Sequence, residues 1–163
     1  MVRGSPPVIL PSPFVLSIAQ PANVFITKSG LVKLGDLGCC KMLQRPDEAT
    51  TNEYGSPQYL SPEVWQHGIC SHKSDIWSIG CVAYELLSFV PPFKEPSLLN
   101  KVLTAHAAPL PPHYSAGMRD LVFRALHKDP SQRPGSTELL EDAAIAHHLK
   151  KWLAAAHSPL GVM

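Results

Sequence analysis

The segment "SDIWSIGCVAYELLSF", residues 74–89, is the strongest constraint on how these 163 residues can fold. Ser74 and Asp75 are residue types favoured at helix N-termini, so a helix is predicted to begin there. Ile76, Ile79, Val82, Ala83, Leu86 and Leu87 make one apolar stripe at helical spacing, and Trp77, Cys81 and Tyr84 carry it most of the way round. A helix that is apolar on nearly all sides has to be buried. The remainder of the chain must therefore supply a layer around it.

Two further stretches can contribute to that layer. In "SAGMRDLVFRALHKDP", Ser115 is the expected cap, Met118, Leu121, Val122, Ala125 and Leu126 form a helical stripe, and Pro130 closes the segment. From Thr137 to about Ala156 a last helical region has Glu138, Glu141 and Asp142 early and Lys150 and Lys151 late, an order that suits the helix dipole. Nearer the start, "ANVFI" and "LVKL" are short apolar runs joined by "TKSG" and read as a hairpin. Between hairpin and central helix, "GDLGCCKMLQRPDEATTNEYGSPQYLSPE" is rich in Gly, Pro and polar residues and reads as a long loop, a length usually tied to function or disorder. Residues 1–20 are Pro-rich and aperiodic; Pro11 and Pro13 interrupt their apolar stretch, which argues against a signal peptide.

Composition narrows the function classes. A formal net charge of +1 gives no electrostatic case for nucleic acid or an anionic membrane. No apolar run approaches the ~20 residues of a membrane span. Cys39, Cys40, Cys70 and Cys81 form neither a CxxC pair nor a zinc-ligand spacing, which fits reduced thiols in a cytoplasmic protein, with the nucleus as the alternative compartment. Charged residues are 17% of the chain, below the roughly 25% usual for soluble domains, so some apolar surface is expected to lack its normal cover.

Five elements stand in a specific order and spacing: Asn23, "GDLG" with Asp36, "GSPQYLSPE" at 55–63, "DIWSIG" at 75–80 and "DPSQRP" at 129–134. Together they resemble the C-terminal lobe of a eukaryotic serine/threonine protein kinase over about residues 20–145. "PANVFITKSGLVKLGDLG" and "SPQYLSPEVWQHGICSHKSDIWSIGCVAYELLSFVPPF" look most like the NIMA-related kinases. The resemblance implies a mainly α-helical kinase C-lobe with a small β-hairpin, an incomplete version of the α+β kinase fold. It divides the chain into a non-homologous segment 1–20, a partial kinase domain 21–145, and a C-terminal helix and tail 146–163.

The resemblance also assigns roles. Asp36 and Asn23 would hold the metal ions that accompany ATP, because phosphoryl transfer needs the γ-phosphate charge held and neutralised. Ser56 would line the approach of the substrate hydroxyl, and Thr51 is the candidate activating phosphosite. Glu63 would pair with Arg133 to pin the activation segment to the base of the lobe. Asp75 would cap the buried helix and reach back to the catalytic loop.

The departures are as informative. Kinase catalytic loops read H-R-D-x-x-x-x-N. Counting back from Asn23, Ile18 occupies the catalytic Asp position and Gln20 that of the loop Lys, and no Asp or Glu precedes Asp36. The sequence contains no GxG, so the Gly-rich loop and its lysine are also missing from these residues. "PSPFVLS" consists almost entirely of residues with pyrimidine-rich codons and Gln20 can be CAG, as at the 3′ end of an intron. Residues 1–20 are therefore read as translated intron or an alternative first exon, with an ordinary divergent N-terminus as the other reading.

The parent enzyme is expected to move the γ-phosphate of ATP to protein Ser or Thr with Mg2+. This chain is expected to be inactive and to bind neither ATP nor Mg2+. The alternatives are a non-catalytic binding module for protein substrates or regulators of the parent kinase, and an unstable truncated isoform held by chaperones.

Overall fold

The computed structural model describes residues 14–15, 20–28, 30, 32–35, 41–42, 49–51 and 56–156. The fold is mainly α-helical with small antiparallel strand pairs, a protein-kinase-like architecture. In chain order the elements are β1 (Phe14–Val15), β2 (Val24–Ile26), β3 (Val32–Leu34), β4 (Lys41–Met42), β5 (Thr50–Thr51), α1 (Pro62–His67), β6 (Ile69–Cys70), α2 (His72–Ser88), α3 (Leu98–Thr104), α4 (Ala116–Ala125), α5 (Ser136–Glu141) and α6 (Ala143–Ala156). Single 3-10 turns occupy Pro21–Asn23, Pro57–Tyr59 and Pro130–Gln132.

The hairpin forms where the two apolar runs predict it: Phe25 opposes Lys33, and Gly30 takes a left-handed φ of 79° at the reversal. The segment read as one long loop is more structured than expected. Its strands β4 and β5 pair with β1 and β6, so Thr50 opposes Cys70 and Thr51 opposes Ile69.

Helix α2 is the centre of the core, but its start and its phase differ from the expectation. It begins at His72, not at Ser74. The Ser71 hydroxyl accepts from Lys73 N (3.2 Å) while Ser74 Oγ accepts from Ser71 N (3.1 Å), a reciprocal capping box. Asp75 is therefore a buried first-turn residue and not the cap. The buried face is Ile76, Trp77, Gly80, Cys81 and Tyr84, whereas Ile79 and Leu86 are 44% and 67% exposed. The reason is steric. Gly80 lies against the Ala125 backbone and Leu126, and this notch seats α4 on the 77/80/81/84 face. Trp77 then stacks on Phe93 at 5.6 Å with rings 6° apart. Leu98, Val102, Leu110 and Val122 complete the cluster. The helix is buried on one side only, and Ile79 and Leu86 leave apolar surface open, as the low charge content suggests.

The last helical region also differs. Asp142 adopts an extended backbone between α5 and α6, and its carboxylate accepts from Ala144 N (2.9 Å) and from Arg124, so a second cap interrupts what the charge order presents as one helix. Ser115 caps α4 as expected, accepting from Met118 N at 3.2 Å.

Two substitutions test this packing. At Gly80 an added Cβ would stand 2.9 Å from Ala125 Cβ. Gly80→Ala gains about 1 kcal/mol of helix propensity but overpacks a rigid crossing at a cost of about 1–3 kcal/mol, so the expected outcome is a lower denaturation midpoint. Phe89 ends α2 with a left-handed φ of 61° and is 86% exposed. Phe89→Gly should stabilise by roughly 1 kcal/mol, since glycine takes that conformation without strain. An unchanged or lower midpoint would contradict the strained cap.

Candidate functional site

The site is assembled from three stretches that approach one another around the N-terminal end of α2. The first is the turn at Pro21–Asn23. Proline at its first position is pre-set for the turn, and Asn23 N donates to Gln20 O at 2.9 Å. Asn23 is buried, and its carbonyl accepts from Gly35 N at 2.9 Å, which extends the hairpin ladder by one step. Asn23 is thereby held opposite Gly35, the residue directly before Asp36 in sequence. An amide oxygen and a carboxylate are donor types that suit the all-oxygen coordination Mg2+ takes alongside phosphate, so by their chemistry Asn23 and Asp36 fit the metal that the kinase resemblance implies. Asp36 itself and Ile18 lie outside the described residues.

The second stretch is the segment 56–63. The Ser56 hydroxyl donates to the Gln20 side-chain oxygen, joining two positions that the sequence singled out separately. Tyr59 OH donates to Glu85 Oε2 at 2.9 Å, and Ser78 Oγ donates to Tyr59 O at 2.9 Å, tethering the segment along α2. Burial, together with the neighbouring Glu85 carboxylate, pushes the Tyr59 phenol well above its ordinary value, so it stays protonated and keeps its proton for the bond to Glu85. Ser61 then precedes α1, and Gly68 closes α1 with a left-handed φ of 65°.

The third is Arg133, which is buried. It presents a two-pronged fork to Glu63, with both bonds at 2.7 Å. Its Nε donates to His127 O (2.7 Å), Nη1 also to Lys73 O (2.8 Å) and Nη2 also to Lys128 O (3.1 Å). All five N–H donors of the guanidinium are used, and its plane lies 5.1 Å from the Trp77 ring centre. Ser74 Oγ adds a bond to Glu63 Oε1 at 2.9 Å, and Lys73 donates back to Arg133 O. Burial alone would raise the Glu63 pKa, but the two bonds and the charge of Arg133 outweigh it and hold the carboxyl below its usual range.

The structure thus brings Glu63 to Arg133 and Gln20 to Ser56. Asp75 lies on α2 one residue from Ser74, and Thr51 lies apart from the hub in the β5–β6 pair. Sequence reasoning missed Ser71, Tyr59 and Glu85. Ser71 was detectable from the serine three residues on, a polar variant of the capping box; Tyr59 and Glu85 carry no local signal.

Comparison with known proteins agrees with this geometry. The family described as "Protein kinase domain" matches residues 19–145. Among similar proteins, serine/threonine-protein kinase Nek3 of Mus musculus is 40% identical over 134 residues, which is 80% of this chain and 26% of that protein. Nek1 of Mus musculus is 36% identical over 135 residues, 81% of this chain and 11% of the relative, and Nek5 of Homo sapiens is 36% identical over 135 residues, 80% and 19%. The chain spans from about a tenth to about a quarter of the length of these relatives.

A double-mutant cycle tests the hub. Arg133→Met or Glu63→Gln alone strands the other charge and should cost about 3–5 kcal/mol, with the pair of changes costing clearly less than the sum. The Glu63 carboxyl titrates below its ordinary value in the folded chain. Its contribution is therefore present above the unfolded pKa and is lost as pH falls through the folded one. Additive losses, or a cycle unaffected by acidification, would contradict the ion pair.

Proposed function

Because the chain belongs to the protein kinase family, on its NIMA-related branch, we propose that it supplies the activation-segment platform of a serine/threonine phosphoryl-transfer site and does not itself transfer phosphate. Protein kinases in general use ATP and Mg2+. The bound metal neutralises the charge developing on the transferred group, and Asn23 and Asp36 are the residues that would hold it.

The bond between Gln20 and Ser56 carries this reading. At the position where the resembled kinases place a cationic lysine, this chain has a neutral amide whose oxygen is engaged by Ser56. The amide keeps the platform in register with the turn at Asn23 but adds no charge to stabilise a phosphoryl group. Ile18 offers no atom that can accept the proton of an attacking hydroxyl, and loss of a general base costs ~10²–10⁴ in rate. An upstream segment could bring a nucleotide pocket but not a base at residue 18.

What persists is the part of the site that positions protein. Ser56, Tyr59 and the Glu63–Arg133 hub hold the segment, and the open apolar side of α2 at Ile79 and Leu86 supports the second reading, a non-catalytic module for substrates or regulators of the parent kinase.

Thermal melting in millimolar Mg-ATP, paired with a radiolabel-transfer assay on a generic Ser/Thr substrate, tests the proposal. The expected outcome is an unchanged Tm and no incorporation above buffer. A ligand present at a hundred times its Kd would add about 2.7 kcal/mol, so a rise of several degrees, or measurable transfer, would overturn it.

A further inference from the structure

A cavity of about 260 Å³ opens between the residues that follow α3 and the C-terminal end of α4. Phe93, Ala105, Ala107, Phe123 and Leu126 give it apolar walls, and Lys128 is its half-buried cation, with His106 and His127 as the other polar residues. The volume lies just under the ~300 Å³ lower end of ligand pockets, which restricts an occupant to one ring with a short tail.

The position of Lys128 gives the cavity its chemistry. Its ammonium stands 4.0 Å from the Phe93 ring centre and 4.9 Å from that of Trp77. Nζ donates to Val102 O at 2.5 Å and more loosely to Lys101 O at 3.4 Å. An ammonium has three donors, so one N–H has no acceptor among the described residues. No described carboxylate pairs with it either. Ring faces and carbonyl dipoles stand in for one. Burial, with the nearby Arg133 charge adding to it, lowers the Lys128 pKa to about 8, and the Cys81 thiol opposes that shift. The group therefore stays mostly protonated at neutral pH.

We infer that this cavity binds a small aryl or short alkyl carboxylate, with the carboxylate on the free N–H of Lys128 and the apolar portion between Phe93, Phe123 and Leu126. An aromatic ring would add offset contacts with the two phenylalanines, and the ion pair would be a charge-assisted hydrogen bond, about twice as strong as a neutral one. No other part of the proposed function depends on this site.

The test is a titration of the full isotope-labelled chain with 3-phenylpropionate and, in parallel, with 3-phenylpropanamide, which has the same shape and no charge. The expected result is a set of amide shifts centred on residues 105–107 and 126–128, with the carboxylate binding at least tenfold more tightly than the amide. Lys128→Met should bring the carboxylate down to the affinity of the amide. Because Lys128→Met could disturb the fold, Ala107→Leu serves as the second variant: it leaves the cation in place, fills the cavity and should abolish binding of both compounds. Equal affinity for acid and amide, shifts centred elsewhere, binding that survives Ala107→Leu, or no shift at millimolar ligand would overturn the inference.

Discussion

A single desolvated guanidinium organises this molecule. Arg133 is buried, yet none of its five N–H groups is left without an acceptor. Its partners belong to α1, to the start of α2 and to the turn after α4, so three elements distant in sequence share one set of bonds. A buried charge is tolerable only when it is paired and fully hydrogen-bonded, and satisfying that condition fixes all three elements at once. The flat fork matters as much as the charge. A lysine has three rotatable donors and no plane, so it could neither grip both oxygens of Glu63 nor lie over Trp77.

That arrangement explains how the chain can keep the form of a kinase platform while its catalytic loop has changed. The hub, the Tyr59–Glu85 bond and the Ser78–Tyr59 bond hold the segment 56–63 from the side of α2. Position 20 has an amide that still meets Ser56, so shape is preserved where charge is not.

The residues that were legible in the sequence are those whose signals are local or whose spacing matches a family. The hairpin at 24–34, the cap at Ser115 and the Glu63–Arg133 pair belong to that set. The family's motif order supplied the last of these; no periodicity could connect residues 70 positions apart. The phase of α2 was not legible, because Ile79 and Leu86 are as apolar as Ile76 and only the Gly80–Ala125 contact decides which side turns inward. The break at Asp142 was hidden for a related reason: its carboxylate reads equally well as a first-turn charge of a long helix or as the cap of a new one. Lys128 looks like an ordinary surface cation beside Asp129, and only the fold brings its ammonium over the rings of Phe93 and Trp77.

The seventy residues that separate Glu63 from Arg133 have a consequence for synthesis. At roughly 5–20 residues per second, Glu63 leaves the ribosome about 4–14 s before its partner exists. Throughout that interval its carboxylate is better hydrated than buried, and the bonds that run through Arg133 from α1 to the start of α2 cannot form. The helices between them can collapse around Trp77 in the meantime, and Tyr59 can already meet Ser78 and Glu85, but the grip on Glu63 waits for Arg133. In the order of translation, the anchor at the end of the segment 56–63 is encoded early and completed late.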